Sequence, residues 1–173
     1  GRMAAIRIVT DSTADLPADF VKQLGIEVLP VRLVLDGKTY LDGVDMDAEA
    51  FYQQYGSFGT MFTKPVPYED YALQYKRLTY ENDQLLIIHC SAELSRTYEN
   101  AVRVHEDFKA THRCRVVLVD SKQCSLGLGL VVLNAAKAAV RGADSDEIQG
   151  LVQCWIQRTS VYLGVPSLKY LRK

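Results

Sequence analysis

Three times along this chain a short apolar run ends in a knot of hydroxyls and acids, and a helix-like segment follows. Ile8-Val9 leads into Thr10-Asp11-Ser12-Thr13. Leu85-Leu86-Ile87-Ile88 leads into His89-Cys90-Ser91, with Ser95 at the next helix start. Val116-Val117-Leu118-Val119 leads into Asp120-Ser121, with Ser125 further on. Unbroken apolar runs are the pattern of parallel strands buried on both faces. In open parallel sheets, ligands bind just beyond the carboxyl ends of the strands. The hydroxyls of Thr10, Ser12, Ser91, Ser95 and Ser125, with the amides of the helix N-termini, are therefore expected to converge on one crevice.

The rest of the chain fits the same reading. Strands are expected at residues 6–10, 85–88 and 115–120. Helices are expected at about 17–24, 48–55, 68–79, 95–110, 126–141 and 144–158. Pro17 suits a first helical turn and Gly25 an end cap. Asp45 or Asp47 can cap the second helix, and Asp144 with Glu147 has capping-box spacing. Residues 26–35 are β-rich, and Asp36-Gly37 is a hairpin signal into a strand at 38–41. Residues 56–67, with two glycines and two prolines, read as a loop. A last strand is expected at 160–165. The fold class is α/β, a three-layer Rossmann-like sandwich with a mainly parallel sheet and a β-hairpin insertion near Asp36-Gly37.

The charge balance narrows the function classes. The chain has 20 Lys and Arg among 21 acids, so no basic stripe marks a nucleic-acid partner. No apolar stretch approaches a membrane span and no signal peptide is recognised. The four cysteines, Cys90, Cys114, Cys124 and Cys154, show neither C-x-x-C nor zinc spacing. They read as reduced thiols of a cytoplasmic protein, without a metal.

Among the knots, Thr10 to Pro17 holds more amide-binding side chains than a helix cap needs, which suggests a pocket wall. Asp11 there is expected to tie loop amides together. Ser91 to Tyr98 lies before the longest helix, where free amides and the positive dipole end favour an anion; Ser95 either caps that helix or also touches a ligand. Residues 120–129 lack a phosphate-loop pattern, and Gly127 and Gly129 read as close-packing positions. No G-x-S-x-G elbow is present. His89 and Cys90 should face opposite ways on a strand end, which disfavours a nucleophile–base dyad. His105 and His112 are expected to face solvent, too far apart to share a ligand.

Thr10-Asp11-Ser12-Thr13-Ala14-Asp15-Leu16-Pro17 resembles the opening signature of the DegV family of bacterial fatty-acid-binding proteins. Ser91 to Tyr98 is similar to the family's serine-rich segment ending L-S-G-T-Y, and Val119-Asp120-Ser121 with Ser125 to Gly129 to its third segment. Leu163 to Lys173 resembles the stretch leading into G-G-R. The resemblance implies a carrier and not a catalyst. A long-chain fatty acid would lie between two α/β domains, its carboxyl group near the serine and threonine loops. In some members a fatty acid kinase takes that carboxyl group as partner. Carried over, the carboxylate contacts are Thr63, Ser91 and Ser95, with Thr10, Ser12 and Ser125 as supporting wall. No cofactor is implied beyond the bound fatty acid. Two departures stand out: the T-S-Q-P-S loop appears as Phe62-Thr63-Lys64-Pro65-Val66, and the glycine of L-S-G-T-Y is Arg96. Residues 1–143 would form the head-group-binding domain and 144–173 the start of a second. Exposed cleft walls would favour a homodimer. The alternatives are an acyl- or phosphoryl-transfer enzyme, which needs a base near Ser91 or Cys124, and an interaction module.

Overall fold

The computed structural model describes residues 5–54 and 59–162. Its centre is a four-stranded parallel sheet in the order β2-β1-β6-β7, formed by β1 (Ile6–Asp11), β2 (Glu27–Leu29), β6 (Gln84–His89) and β7 (Arg115–Asp120). The register pairs Ile8 with Leu86 and Ile87 with Leu118, so the apolar runs lie side by side. Alternate residues of each strand go to opposite faces. Ile8, Leu86 and Ile88 enter one core with Leu128, Val131 and Val132 of α5 (Ser125–Val140) and with Ile148, Val152 and Ile156 of α6 (Ser145–Tyr162). Val9, Leu85 and Ile87 enter the other, with Tyr71, Tyr75 and Leu78 of α3 (Tyr68–Glu81) and with Ala101 and Val104 of α4 (Thr97–Phe108). This is the expected three-layer α/β sandwich. A short α1 (Ala18–Leu24) joins the first core through Val21 and Leu24 and ends at Gly25, whose φ of +62° is the left-handed cap.

The β-rich stretch 26–35 divides at Pro30 into strands of two different sheets. β2 extends the parallel sheet, while β3 (Arg32–Leu35) is the middle strand of a separate antiparallel sheet, between β4 (Lys38–Leu41) and β5 (Met61–Lys64). The hairpin to β4 (Lys38–Leu41) turns at Asp36-Gly37, both with positive φ (+48° and +80°), the backbone of a tight primed turn. Within the expected 56–67 loop, Met61–Lys64 is instead the strand β5, paired so that Leu33 lies opposite Thr63. All four of its residues are exposed, so it carries no buried alternation that a sequence could betray. Leu33, Leu35 and Met46 form a small third core under this sheet, partly covered by α2 (Ala48–Gln54), whose first turn is capped by Asp47.

The strand expected at 160–165 is not formed in its described part. Residues 160–162 continue α6, because helix packing by Ile148, Val152 and Ile156 prevails over the β-branched local sequence. Residues 55–58 and 163–173 lie outside the described residues, and with them the beginning of the expected loop, the rest of that strand and the segment leading toward G-G-R. Among the described residues no helix is long and apolar enough to cross a membrane.

The histidines of the 105–112 segment also differ from expectation. α4 stops at Phe108, and a 3-10 turn over Lys109–Thr111 swings His112 back beside it. His105 Nδ1 and His112 Nε2 then both lie 2.7 Å from Tyr75 Oη, so they share one partner after all. The hydroxyl donates to one ring and accepts from the other. Burial holds His105 below its ordinary value, with Glu106 opposing and with His112 and Lys109 adding to the fall. A histidine that resists protonation in the fold loses stability as the unfolded chain takes up protons. Stability is therefore expected to be level above about pH 6.5, the ordinary histidine value, and to fall as pH drops below it. Urea midpoints at pH 7.5 and 5.5 check this: the wild-type drop should shrink in His105→Gln.

Candidate functional site

The carboxyl ends of β1, β6 and β7 carry the three polar knots, as expected, and Asp11 is the residue that ties the first two together. Its carboxylate is fully buried. Oδ1 accepts the Thr13 amide at 3.0 Å and the Thr13 hydroxyl. Oδ2 accepts the Cys90 amide at 3.0 Å and faces His89 Nδ1 at 2.9 Å. Burial raises the Asp11 pKa, but the hydrogen bond and charge of His89, with Thr13 and Cys90, outweigh it and hold the carboxyl below its ordinary value. One side chain thus joins the loop after β1 to the loop after β6.

The loop after β6 folds tightly on itself. Ser91 donates its amide to the Gln123 carbonyl at 2.8 Å, which links it to the loop after β7. Its own carbonyl accepts the amides of Leu94 and Ser95, each at 3.0 Å, and its Oγ accepts the Glu93 amide at 3.3 Å. Asp120 Oδ1 accepts the amides of Ala92 and Lys122. Arg96 occupies the N-cap of α4 and makes no side-chain cap bond, while Ser95 Oγ accepts the Thr97 amide at 3.3 Å. Ser95 is therefore at least a cap, one of the two roles expected for it.

The path of Thr63 is fixed from the other side. Val66, just past β5, donates its amide to Thr97 Oγ1 at 3.2 Å, and its carbonyl accepts Asn100 Nδ2 at 2.9 Å. Ser95 Oγ donates to the same Thr97 Oγ1 at 3.1 Å. The first turn of α4 consequently clasps the segment that carries Thr63, and the exposed Thr63 lies three residues before the clasp. Thr97 and Asn100 escaped the sequence reading; a threonine and an asparagine in a helical first turn look like surface polar residues.

The supporting residues divide. Ser12 Oγ accepts the Val31 amide at 2.9 Å and is bonded to the Asp42 carboxyl, whose pKa burial raises while the Ser12 bond lowers it and Asp15 and Asp11 raise it further. Ser125 opens α5 with φ +48°, and its Oγ donates to Asp15 Oδ2 at 3.0 Å. Thr10 is wholly buried and its Oγ1 has no hydrogen-bond partner, so it lies beneath the crevice floor. Ser91 and Ser95 thus lie in the tight turn that leads into α4, and the segment that carries Thr63 is tied to the first turn of that helix through Val66, whereas Ser12 and Ser125 are engaged by acids of the neighbouring loops. Leu94, in the loop after β6, and Leu126, in the first turn of α5, are 47% and 63% exposed and give this end of the sheet apolar surface.

His89 and Cys90 do face opposite ways. His89 Nε2 lies 2.7 Å from Tyr71 Oη on the α3 side, while Cys90 packs into the α5 core. Burial, with the Asp11 charge, pushes the Cys90 thiol up to about 11. A thiol that stays protonated beside a ring already bonded through both nitrogens is poorly placed for nucleophilic attack. Among the described residues no three His, Cys, Asp or Glu side chains are grouped to hold a metal ion.

A sequence profile of the DegV family, described as uncharacterised proteins, matches residues 5–173. A DegV domain-containing protein of Caldanaerobacter subterraneus is 36% identical over 171 residues, 98% of this chain and 59% of the relative. A DegV domain-containing 15.5 kDa protein of Staphylococcus aureus is 34% identical over 129 residues, 73% of this chain and 88% of that protein. Among solved structures, a DegV family protein from Thermus thermophilus described by its fatty-acid binding has a TM-score of 0.77 at 30% identity, over 88% of this chain and 54% of that one. A Thermotoga maritima protein described as revealing fatty-acid-binding function has a TM-score of 0.75 at 26% identity, over 87% of this chain and 54% of its own. The chain thus spans little more than half the length of most of the relatives described here. With its whole described fold and all three polar knots inside the matched region, the chain belongs to the DegV family.

Proposed function

We propose that this chain binds a long-chain fatty acid as a carrier, holding the carboxylate at the start of α4. The observation that carries this is the turn from Ser91 to Ser95 at the start of α4, whose N-cap Arg96 makes no side-chain bond, with the segment that carries Thr63 tied through Val66 to the first turn of that helix. A carboxylate placed there can take charge-assisted hydrogen bonds from hydroxyls and amides without a buried cation. The exposed Leu94 and Leu126 suit the first carbons of an acyl chain. Support comes also from the Thermus and Thermotoga relatives, whose descriptions name fatty-acid binding. In the finer form of the proposal, the bound carboxyl group is offered to a fatty acid kinase.

The direct test is organic extraction of the bacterially expressed protein, with mass spectrometry of the extract. Acyl chains in near-stoichiometric amount are expected. An empty extract together with no binding of added palmitate or oleate would end the carrier reading. Ser91→Ala and Ser95→Ala are each expected to weaken palmitate binding by about 1–3 kcal/mol, the loss of one hydrogen bond to a charged group. Calorimetric titration reads the change.

A further inference from the structure

The Thr97 hydroxyl stands between the two parts of the site. Thr97 opens α4 and is wholly buried. Among the described residues its Oγ1 has two partners: the Val66 amide, which can only donate, at 3.2 Å, and Ser95 Oγ at 3.1 Å. A hydroxyl holds one hydrogen and two lone pairs, and the hydrogen turns about the C–O bond. The contact between the two hydroxyls can therefore run either way with no heavy atom displaced. With Ser95 as donor, both Thr97 lone pairs are filled, and the Thr97 hydrogen has no acceptor among the described residues. With Thr97 as donor, that buried hydrogen is met.

The second direction changes what Ser95 offers. Its Oγ already accepts the Thr97 amide at 3.3 Å, and the Thr97 hydrogen then fills its other lone pair. Ser95 is left with one free hydrogen and no free acceptor. A carboxylate, which has only lone pairs, fits such a group; a donor on the ligand does not. We propose that Thr97 is a positioning residue that selects for the carboxylate: when the head group arrives, the contact reverses, Thr97 donates to Ser95, and Ser95 donates to the ligand. This rests on the carrier reading above. The reversal keeps the 3.1 Å contact and meets the hydrogen of a buried hydroxyl, so the bond to the ligand is gained without the loss of an internal one.

Ser91 differs from Ser95. Among the described residues its Oγ accepts the Glu93 amide at 3.3 Å and keeps its second lone pair open, so it meets a donor or an acceptor alike. Selection between head groups therefore falls to Ser95. Arg96, exposed at the N-cap, adds a charge that favours any anion, but it is the same in every Thr97 variant and does not enter a comparison among them. Val66 holds the Thr97 hydroxyl in place: its amide occupies one lone pair, and its own carbonyl is held by Asn100 Nδ2 at 2.9 Å. The contacts that order the Thr63 segment thus also fix where the Thr97 hydrogen goes.

Calorimetric titration of the whole chain with palmitate, and with hexadecanol as a neutral head group on a chain of equal length, tests this. Thr97→Val keeps the shape and removes the hydroxyl. It is expected to weaken palmitate about tenfold and hexadecanol about threefold or less, because a hydrogen bond to a charged acceptor is roughly twice as strong as a neutral one. Thr97→Ser restores the hydroxyl and should bring palmitate back to within about twofold of wild type, which a role in packing alone would not do. In Ser95→Ala the Thr97→Val change should cost palmitate less than about threefold, since the hydroxyl it acts through is gone. If Thr97→Val fails to fold, Thr97→Cys, whose thiol is a weak donor and a weak acceptor, should show the same pattern. Unchanged palmitate affinity, equal losses for the two ligands, no rescue by Thr97→Ser, or an undiminished loss in Ser95→Ala would each overturn the inference while the carrier reading stands. Failure of palmitate to bind the wild-type chain would overturn both.

Discussion

Replacing Asp11 with alanine is expected to destabilise the fold by about 3–5 kcal/mol, the range seen when one partner of a buried charged network is removed. The loss has several parts. The Cys90 amide and His89 Nδ1 give up their acceptor in a buried region, and the part-buried Thr13 amide loses its own. An unmet buried donor costs about 1–3 kcal/mol. The damage should also be local, because these donors start the two loops that lead into the crevice. Urea denaturation measures the first effect, and hydrogen exchange at the Thr13 and Cys90 amides the second. A loss below about 1 kcal/mol would mean that water or a shifted side chain replaces the carboxylate, contrary to this account.

A methyl group added at Gly129 should cost about 1–3 kcal/mol by overpacking. The built Cβ would lie 2.6 Å from the Ala14 carbonyl oxygen and 3.5 Å from Leu16 Cδ2. The first obstacle is backbone, so either α5 or the turn over Ser12–Ala14 must move. Helix propensity works the other way, since alanine is favoured over glycine by about 1 kcal/mol inside a helix. Gly150→Ala in α6 isolates that term, because nothing lies within 4 Å of its Cβ position. The pair should therefore differ in sign: Gly150→Ala raises the thermal midpoint, Gly129→Ala lowers it. Equal gains from both would show that α5 does not press on the loop.

Much of this was legible because burial writes itself into composition. The runs at Ile8-Val9, 85–88 and 116–119 are apolar on both faces because helices cover both sides of the sheet, and they declared the strands, their parallel pairing and the polar knots at their ends. Caps at Asp47 and Asp144 were legible because a short acid before a helix has a local partner, as the bonds to the Ala50 and Glu147 amides show. β5 was not legible, for its four residues are exposed and its pairing with β3 comes from a distant segment. The end of α6 was misread as a strand because Val161-Tyr162 is locally β-prone and the favourable packing lies earlier in the helix.

At the site, residue types were legible and their partnerships were not. Asp11 was expected to bind amides, and it does. That it also binds His89, and through it Tyr71 on α3, follows only from the approach of β1, β6 and one helix face. Likewise, the clasp of Val66 by Thr97 and Asn100 brings together residues more than thirty positions apart, and each alone is an unremarkable polar side chain. The shared bond of His105 and His112 to Tyr75 was hidden for a similar reason: a short 3-10 turn, not the helix periodicity, sets where His112 points.

A titration of the isotope-labelled chain with palmitate, followed by amide NMR, tests the central claim most directly. The backbone signals of Ser91, Ser95 and the first turn of α4, with those of the Thr63 segment, should shift together and saturate at one equivalent. Shifts confined to other parts of the sheet or to the Tyr75 cluster, with these signals unmoved by bound lipid, would contradict it.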